Sequence, residues 1–204
     1  MADKSRGSDK RERIIRAAVK VFAAKGFYCA RVSDVAKEAG VADGTIYLYF
    51  SSKEELLRGL FEENMRRIIG QIRDLVATET VPAMRLQRLV EAYVNFAIEE
   101  PELAEVLTVE LRESGKFMNQ FASVLFGDFL RLITELIEDG QTKGVFRSDV
   151  SARTVSRALF GALDELSLSW VMSTSKWDLH RSGREVLDVF LGGMLSAPTG
   201  EKST

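Results

Sequence analysis

Two short apolar-periodic segments meet at Gly40, and that junction constrains the chain more than any other feature. Val35, Ala36 and Ala39 fall at helical spacing, Ser33 offers a hydroxyl to cap a free backbone N–H, and Asp34 sits in the first turn. Gly40 is a stop that accepts a left-handed backbone, Val41 tucks inward, and a second helix starts near Ala42 or Asp43. The stretch from Ser33 to Lys53 therefore reads as helix, tight turn and second helix, ending in the aromatic cluster Tyr47, Tyr49 and Phe50. In such a helix-turn-helix the second helix enters a DNA major groove and the first crosses the backbone.

Upstream, Ile14, Ile15, Ala18, Val19 and Phe22 recur at helical intervals, and Gly26 ends that helix. MADKSRGS reads as a mobile basic arm, with a minor-groove contact as the alternative, and Ser8 or Asp9 caps the first helix. Three helices, each too short to be stable alone, share one small core. Downstream, Ser52 caps a new helix with Glu55 as its partner, and apolar residues from Leu56 to Val76 keep an unbroken helical rhythm. That helix starts at the first unit and ends inside a second. Pro82, Pro101, Ser114-Gly115, Gly140 with Gly144, and Ser151 then punctuate further apolar stripes, and a last helix starts near Leu179. The stripe from Phe117 to Ile137 is apolar around most of its circumference, so it must be buried on more than one side. There is no strand pattern and no internal repeat. The expectation is an all-α chain of about nine helices: a three-helix DNA-binding domain at 1–52, a six-helix ligand-binding and dimerisation domain at 53–196, and a disordered tail at 197–204.

Charge sharpens this division. Residues 1–53 hold 11 Lys/Arg against 6 Asp/Glu, a net of +5; the rest hold 17 against 24, a net of −7, which together give the chain's −2. A basic first quarter suits a phosphate-facing surface. No apolar run approaches the ~20 residues a membrane span needs, and the polar N-terminus does not resemble a secretory signal. One cysteine, Cys29, excludes an internal disulfide and fits a reducing cytoplasm. One histidine, His180, leaves almost nothing for a zinc site or a histidine-based triad, so no metal is expected. The acidic pairs Glu99/Glu100, Glu138/Asp139 and Asp164/Glu165 are adjacent in sequence and point to different sides of their helices, so no catalytic pair is expected and an enzyme is not.

The order G-V-A-D-G-T-I-Y-L-Y-F-S-S-K-E-E-L, from Gly40 to Leu56, resembles the DNA-reading segment of the TetR family of bacterial transcriptional regulators. The wording F-G-A-L-D-E-L-S-L-S-W-V-M-S-T-S-K-W-D from Phe160, with V-E-L-R-E from Val109, is similar to the fatty-acid-degradation repressors of that family, which sense long-chain acyl-coenzyme A. The resemblance implies DNA contacts at Ala42, Asp43, Gly44, Thr45, Tyr47, Tyr49 and Lys53, with Arg31 and Ser33 preceding the supporting helix. The residues allow specific roles. Thr45 can meet a phosphate or a base edge, Tyr47 and Tyr49 are candidate phosphate donors, and Gly44 lets the backbone approach closely. Lys53 is a candidate phosphate grip at the start of the long helix. Asp43 either complements the helix N-terminus or accepts from a cytosine amino group.

The second domain's apolar interior suits a tunnel for an apolar ligand. Phe96, Leu107, Leu111, Phe121, Leu125, Phe126, Phe129, Leu163, Leu166 and Trp170 are candidates to line it, and Arg112 is a candidate at its mouth. Arg66, Arg67, Arg73, Lys116 and Arg131 are equally available to coenzyme A phosphates, and spacing does not choose among them. The last two helices are expected to form a homodimer through Ala158, Gly161, Ala162, Val186, Phe190, Gly193 and Met194. The expected function is a cytoplasmic repressor that binds a palindromic operator on double-stranded DNA and is released by a long-chain acyl-coenzyme A. It has no cofactor and no membrane partner. The alternatives are a TetR-type regulator of efflux or another pathway with a different apolar effector, and a helical lipid-binding protein with no DNA role.

Overall fold

A computed structural model of the protein describes residues 2–110 and 123–195, with side chains at 9–109 and 124–195. Among these residues the regular elements are helices: α1 Ala2–Lys25, α2 Val32–Ala39, α3 Asp43–Ile46, α4 Lys53–Ala77, α5 Pro82–Glu99, α6 Pro101–Glu105, α7 Ser123–Thr142, α8 Ala152–Met172 and α9 Leu179–Met194. The all-α expectation is met. Contacts divide the chain into one unit of Met1–Ile68 with Glu99–Phe126 and a second of Ile69–Ile98 with Gly127–Thr204.

In the first unit, Ile14, Ile15, Ala18 and Phe22 of α1 are buried with Val35, Ala36 and Ala39 of α2, Ile46 of α3, Phe50, and Leu56, Leu57 and Leu60 of α4. Phe22 and Phe27 meet edge to face at 5.4 Å, which closes this core under the α1–α2 turn. Gly26 and Gly40 take φ of 73° and 64°, as helix stops should. After Gly40, the N–H of Val41 reaches back to the Ala36 carbonyl at 3.0 Å and draws the chain inward. The N-terminal segment differs from the expected arm: α1 already begins at Ala2, not at a Ser8 or Asp9 cap. Residues 2–8 contain no proline to stop a helix, and Gly7 alone costs only about 1 kcal/mol. The helix after Pro101 also departs from a simple pattern, because α6 runs on as one π-helical turn over Val106–Glu110.

The second unit packs Leu86, Leu89, Val90, Val94 and Ala97 of α5 with Leu132, Ile133, Leu136 and Ile137 of α7 and with Leu159, Leu163 and Leu187 of α8 and α9. Its tight points are glycines. A Cβ on Gly183 would lie 2.8 Å from a Val94 methyl, and one on Gly140 would lie 2.1 Å from the Phe146 ring. Ser151 and Asp178 cap α8 and α9, accepting from the N–H groups of Thr154 and Arg181. The stripe read from Phe117 is described only from Ser123; within it Phe129 is buried and Val124 is 69% exposed.

Candidate nucleic-acid interface and apolar interior

The helix-turn-helix is held by chemistry at each of its joints. α2 starts one residue before Ser33, with Arg31 at the N-cap position. Ser33 is exposed and does not cap; instead the Arg31 backbone N–H donates to the Asp34 carboxylate at 3.0 Å. The Lys25 ammonium lies 2.8 Å from the other Asp34 oxygen and ties the end of α1 to the start of α2. The far joint repeats this device. Ser52 accepts from the Glu55 N–H at 3.1 Å, and the Glu55 carboxylate accepts from the Ser51 N–H at 2.6 Å. Arg13 donates to the Ala39 carbonyl at 2.7 Å, fixing the C-terminus of α2 against α1.

Both capping carboxyls are held below the usual carboxylate range. For Asp34 the main cause is the hydrogen bond from Lys25, then the Arg31 N–H; for Glu55 it is the Ser51 hydroxyl, then the Ser51 N–H. A folded-state value below the unfolded one gives stability that is complete above the unfolded value of about 4 and is lost as pH falls through the folded value. Comparing Asp34→Asn with the parent protein in urea titrations should show a stability gap that is constant from neutral pH to about pH 5 and closes in more acid solution. A gap that persists unchanged below pH 3 would exclude the carboxylate as its source.

α3 itself is a single turn. Its N-cap, Ala42, makes no side-chain cap, so Asp43 carries the only acidic charge of the first turn. The chain then closes through short-range bonds: the Leu48 N–H to Thr45 at 3.2 Å and the Phe50 N–H to Ile46 at 3.0 Å. Ile46 and Phe50 are buried at 1% and 3%, which anchors the segment and turns its other side outward. Ala42, Asp43, Gly44 and Tyr47 are exposed, while Thr45 and Tyr49 are half-buried. A Cβ on Gly44 would meet nothing within 4 Å, so no packing within the chain requires glycine there.

Leu48 is the residue that the sequence pattern hid. It is 81% exposed, more than any other large apolar side chain described. Two residues after buried Ile46, it reads as part of an apolar run; only the tight turn shows that it faces out. A leucine there can meet a thymine methyl.

Lys53 is not a free phosphate grip. Its ammonium donates to the carbonyls of Phe27, Ala30 and Tyr28 at 2.8, 3.0 and 3.2 Å, and sits 4.6 Å above the Phe27 ring. An ammonium has three N–H groups, and all three are spent. Lys53 clamps the α1–α2 turn onto the start of α4.

The ligand candidates fall in both units. Leu111, Arg112 and Phe121 lie outside the described residues, as do Lys116 and the tail. In the first unit Leu107, Leu125 and Phe126 are half-buried. In the second, Phe96 and Leu166 are half-buried and Phe129 and Leu163 are buried. Trp170 is buried; its Nε1–H donates to the Trp177 carbonyl at 3.0 Å and Lys176 lies 4.3 Å over its ring. Among the basic candidates, Arg66, Arg67 and Arg131 are engaged with Glu62, Glu100 and Asp128, whereas Arg73 has no ion-pair partner among the described residues.

The dimer candidates also separate. Ala158, Gly161 and Gly193 are exposed, and Ala162, Val186 and Phe190 are half-buried. A Cβ on Gly161, Gly192 or Gly193 would meet nothing within 4 Å among the described residues. Met194 is 4% exposed and is withdrawn from any partner. Its carbonyl accepts the Arg147 N–H at 2.8 Å, and Leu195 bridges to Phe146. Cys29 and His180 are exposed, and no group of three metal-ligating side chains occurs among the described residues. No described helix is long and apolar enough to cross a membrane.

A helix-turn-helix in the basic segment 1–53, presenting Thr45, Tyr47 and Leu48 on a buried Ile46–Phe50 anchor and followed by apolar helices, defines a helix-turn-helix regulator. Residues 14–60 match the family model described as bacterial regulatory proteins, tetR family, and residues 61–193 match that of the YsiA-like protein, C-terminal region. The chain belongs to the TetR family of transcriptional regulators, which are not enzymes. It is 32% identical over 181 residues to the fatty acid metabolism regulator protein of Bacillus subtilis, covering 89% of this chain and 93% of that one. The fatty acid degradation regulator FadR from Bacillus halodurans superposes with a TM-score of 0.86 at 38% identity, covering 90% and 95% of the two chains. FadR from Bacillus subtilis in complex with stearoyl-CoA superposes with a TM-score of 0.85 at 32% identity, covering 89% and 98%.

Proposed function

We propose that this regulator is a dimeric repressor of fatty-acid-degradation genes that leaves a palindromic operator when it binds a long-chain acyl-coenzyme A. The observation that carries the effector is the likeness, over 98% of its length, to a FadR bound to stearoyl-CoA. The second unit's interior is compatible in kind, with Phe96, Phe129, Phe160 and Leu163 offering apolar surface to an acyl chain. Each buried CH₂ contributes about 0.8 kcal/mol, so a long chain supplies much of its own affinity.

The DNA contacts proposed are Arg31, Ser33, Ala42, Asp43, Gly44, Thr45, Tyr47 and Tyr49, to which Leu48 is added. Lys53 holds them in place. The exposed small residues Ala158, Gly161 and Gly193, with Val189 exposed at 74%, support a close two-fold contact of α8 and α9. Covalent continuity runs through α4, which begins in the first unit and passes into the second after Ile68. A ligand can release DNA only by its differential affinity for the two states, and DNA weakens ligand binding by the same factor.

Footprinting on the DNA flanking the protein's own gene tests the DNA half of this function. Two protected half-sites about one helical turn apart are expected. Tyr47→Ala, at a position 57% exposed, should weaken binding about tenfold without loss of stability. Full affinity in that variant, or a footprint with no two-fold, would contradict it.

A further inference from the structure

One face of α8 carries Phe160, Asp164 and Ser167, spaced so that they stack along the helix. Phe160 meets the rings of Tyr93 and Phe129 edge-on at 6.1 and 5.8 Å, and those two rings stack at 6.0 Å. Two buried polar groups follow Phe160 on the same face of α8. Asp164, 7% exposed, accepts the Tyr93 hydroxyl at 3.4 Å. Ser167 is 3% exposed, and its hydroxyl has no hydrogen-bond partner among the described residues.

That orphan is unusual for this chain. A buried helical hydroxyl ordinarily bonds the carbonyl one turn back, as Thr108 does to Ala104 at 2.7 Å. Among the described residues the other buried helical serine, Ser156, accepts from Thr134 at 2.9 Å and donates to the Arg153 carbonyl at 3.0 Å. Ser167 does neither, and burying an unsatisfied hydroxyl costs stability. An acyl thioester inside an apolar interior brings one polar atom with it, the carbonyl oxygen, which needs a donor.

We propose that the Ser167 hydroxyl donates to the thioester carbonyl of the bound effector, making Ser167 a specificity residue for acyl thioesters. The assignment rests on the acyl-coenzyme A function above. The Tyr93 hydroxyl is occupied by Asp164, which leaves Ser167 as the donor on this face. Its cost to the empty protein is recovered only when a carbonyl arrives.

The test compares stearoyl-CoA with its thioether S-octadecyl-CoA, in which CH₂ replaces the carbonyl, on full-length wild-type protein, Ser167→Ala and Ser169→Ala. Ser169 is exposed on the same helix and donates to Glu165, so it serves as the control. Wild type and Ser169→Ala should bind the thioester about tenfold more tightly than the thioether. Ser167→Ala should bind both as weakly as wild type binds the thioether, with a melting temperature equal to or above that of wild type. Stability kept or gained while carbonyl discrimination is lost would not follow from a packing role. If Ser167→Ala keeps the wild-type preference, or loses affinity for both ligands equally, the proposal is overturned. If wild type binds neither ligand, the acyl-coenzyme A function itself fails, and the proposal with it.

Discussion

A Lys53→Met variant is expected to bind operator about a hundredfold more weakly while keeping the wild-type salt dependence. The ammonium of Lys53 joins the start of α4 to three carbonyls of the α1–α2 turn and covers the Phe27 ring. Hydrogen bonds to a charged group contribute about 1.5–3 kcal/mol each when buried. These carbonyls are partly exposed, so water recovers much of that, and a total of about 2–3 kcal/mol is reasonable. The loss falls on the arrangement that poses α2 and α3. DNA must restore that arrangement on binding, so the energy reappears in affinity, and each 1.4 kcal/mol is a factor of ten. Thermal unfolding should fall by about 5–10 °C for a chain of this size. A phosphate grip behaves differently. Removing one reduces the slope of log affinity against log salt by about 0.9 per contact and leaves the free protein as stable as before. Titrations at several salt concentrations, together with a melting curve, separate the two roles.

The parts of the fold legible in sequence were those whose causes are local. Gly26 and Gly40 stop helices because their φ is positive, and both do so where the pattern placed them. Ser52 with Glu55, Pro82 and Ser151 begin helices as their side-chain chemistry requires. Ile46 and Phe50 read as core and are core. What escaped the sequence has its cause far along the chain or in a turn too tight for periodicity. The acceptors of Lys53 lie 23 to 26 residues upstream, so nothing near it predicts a clamp. Met194 is buried because the segment around Phe146 returns to pair with the end of α9. The cap of α2 was sought in the Ser33 side chain, whereas Asp34 reaches back to the Arg31 N–H. Leu48 and Ser167 break the apolar-in, polar-out pattern in opposite directions, so periodicity misplaces both.

The central claim, that an acyl-coenzyme A controls DNA binding, has a direct measurement. Fluorescence anisotropy of a labelled operator duplex, at one fixed salt concentration, is titrated with the wild-type protein in the absence and presence of saturating stearoyl-CoA, with coenzyme A alone as the control. The effector should weaken operator binding about 10- to 100-fold, within the usual range of coupling between two sites, and coenzyme A alone should leave it unchanged. Operator DNA should weaken stearoyl-CoA binding by the same factor. Stearoyl-CoA that binds the protein yet leaves operator affinity unchanged would contradict the account.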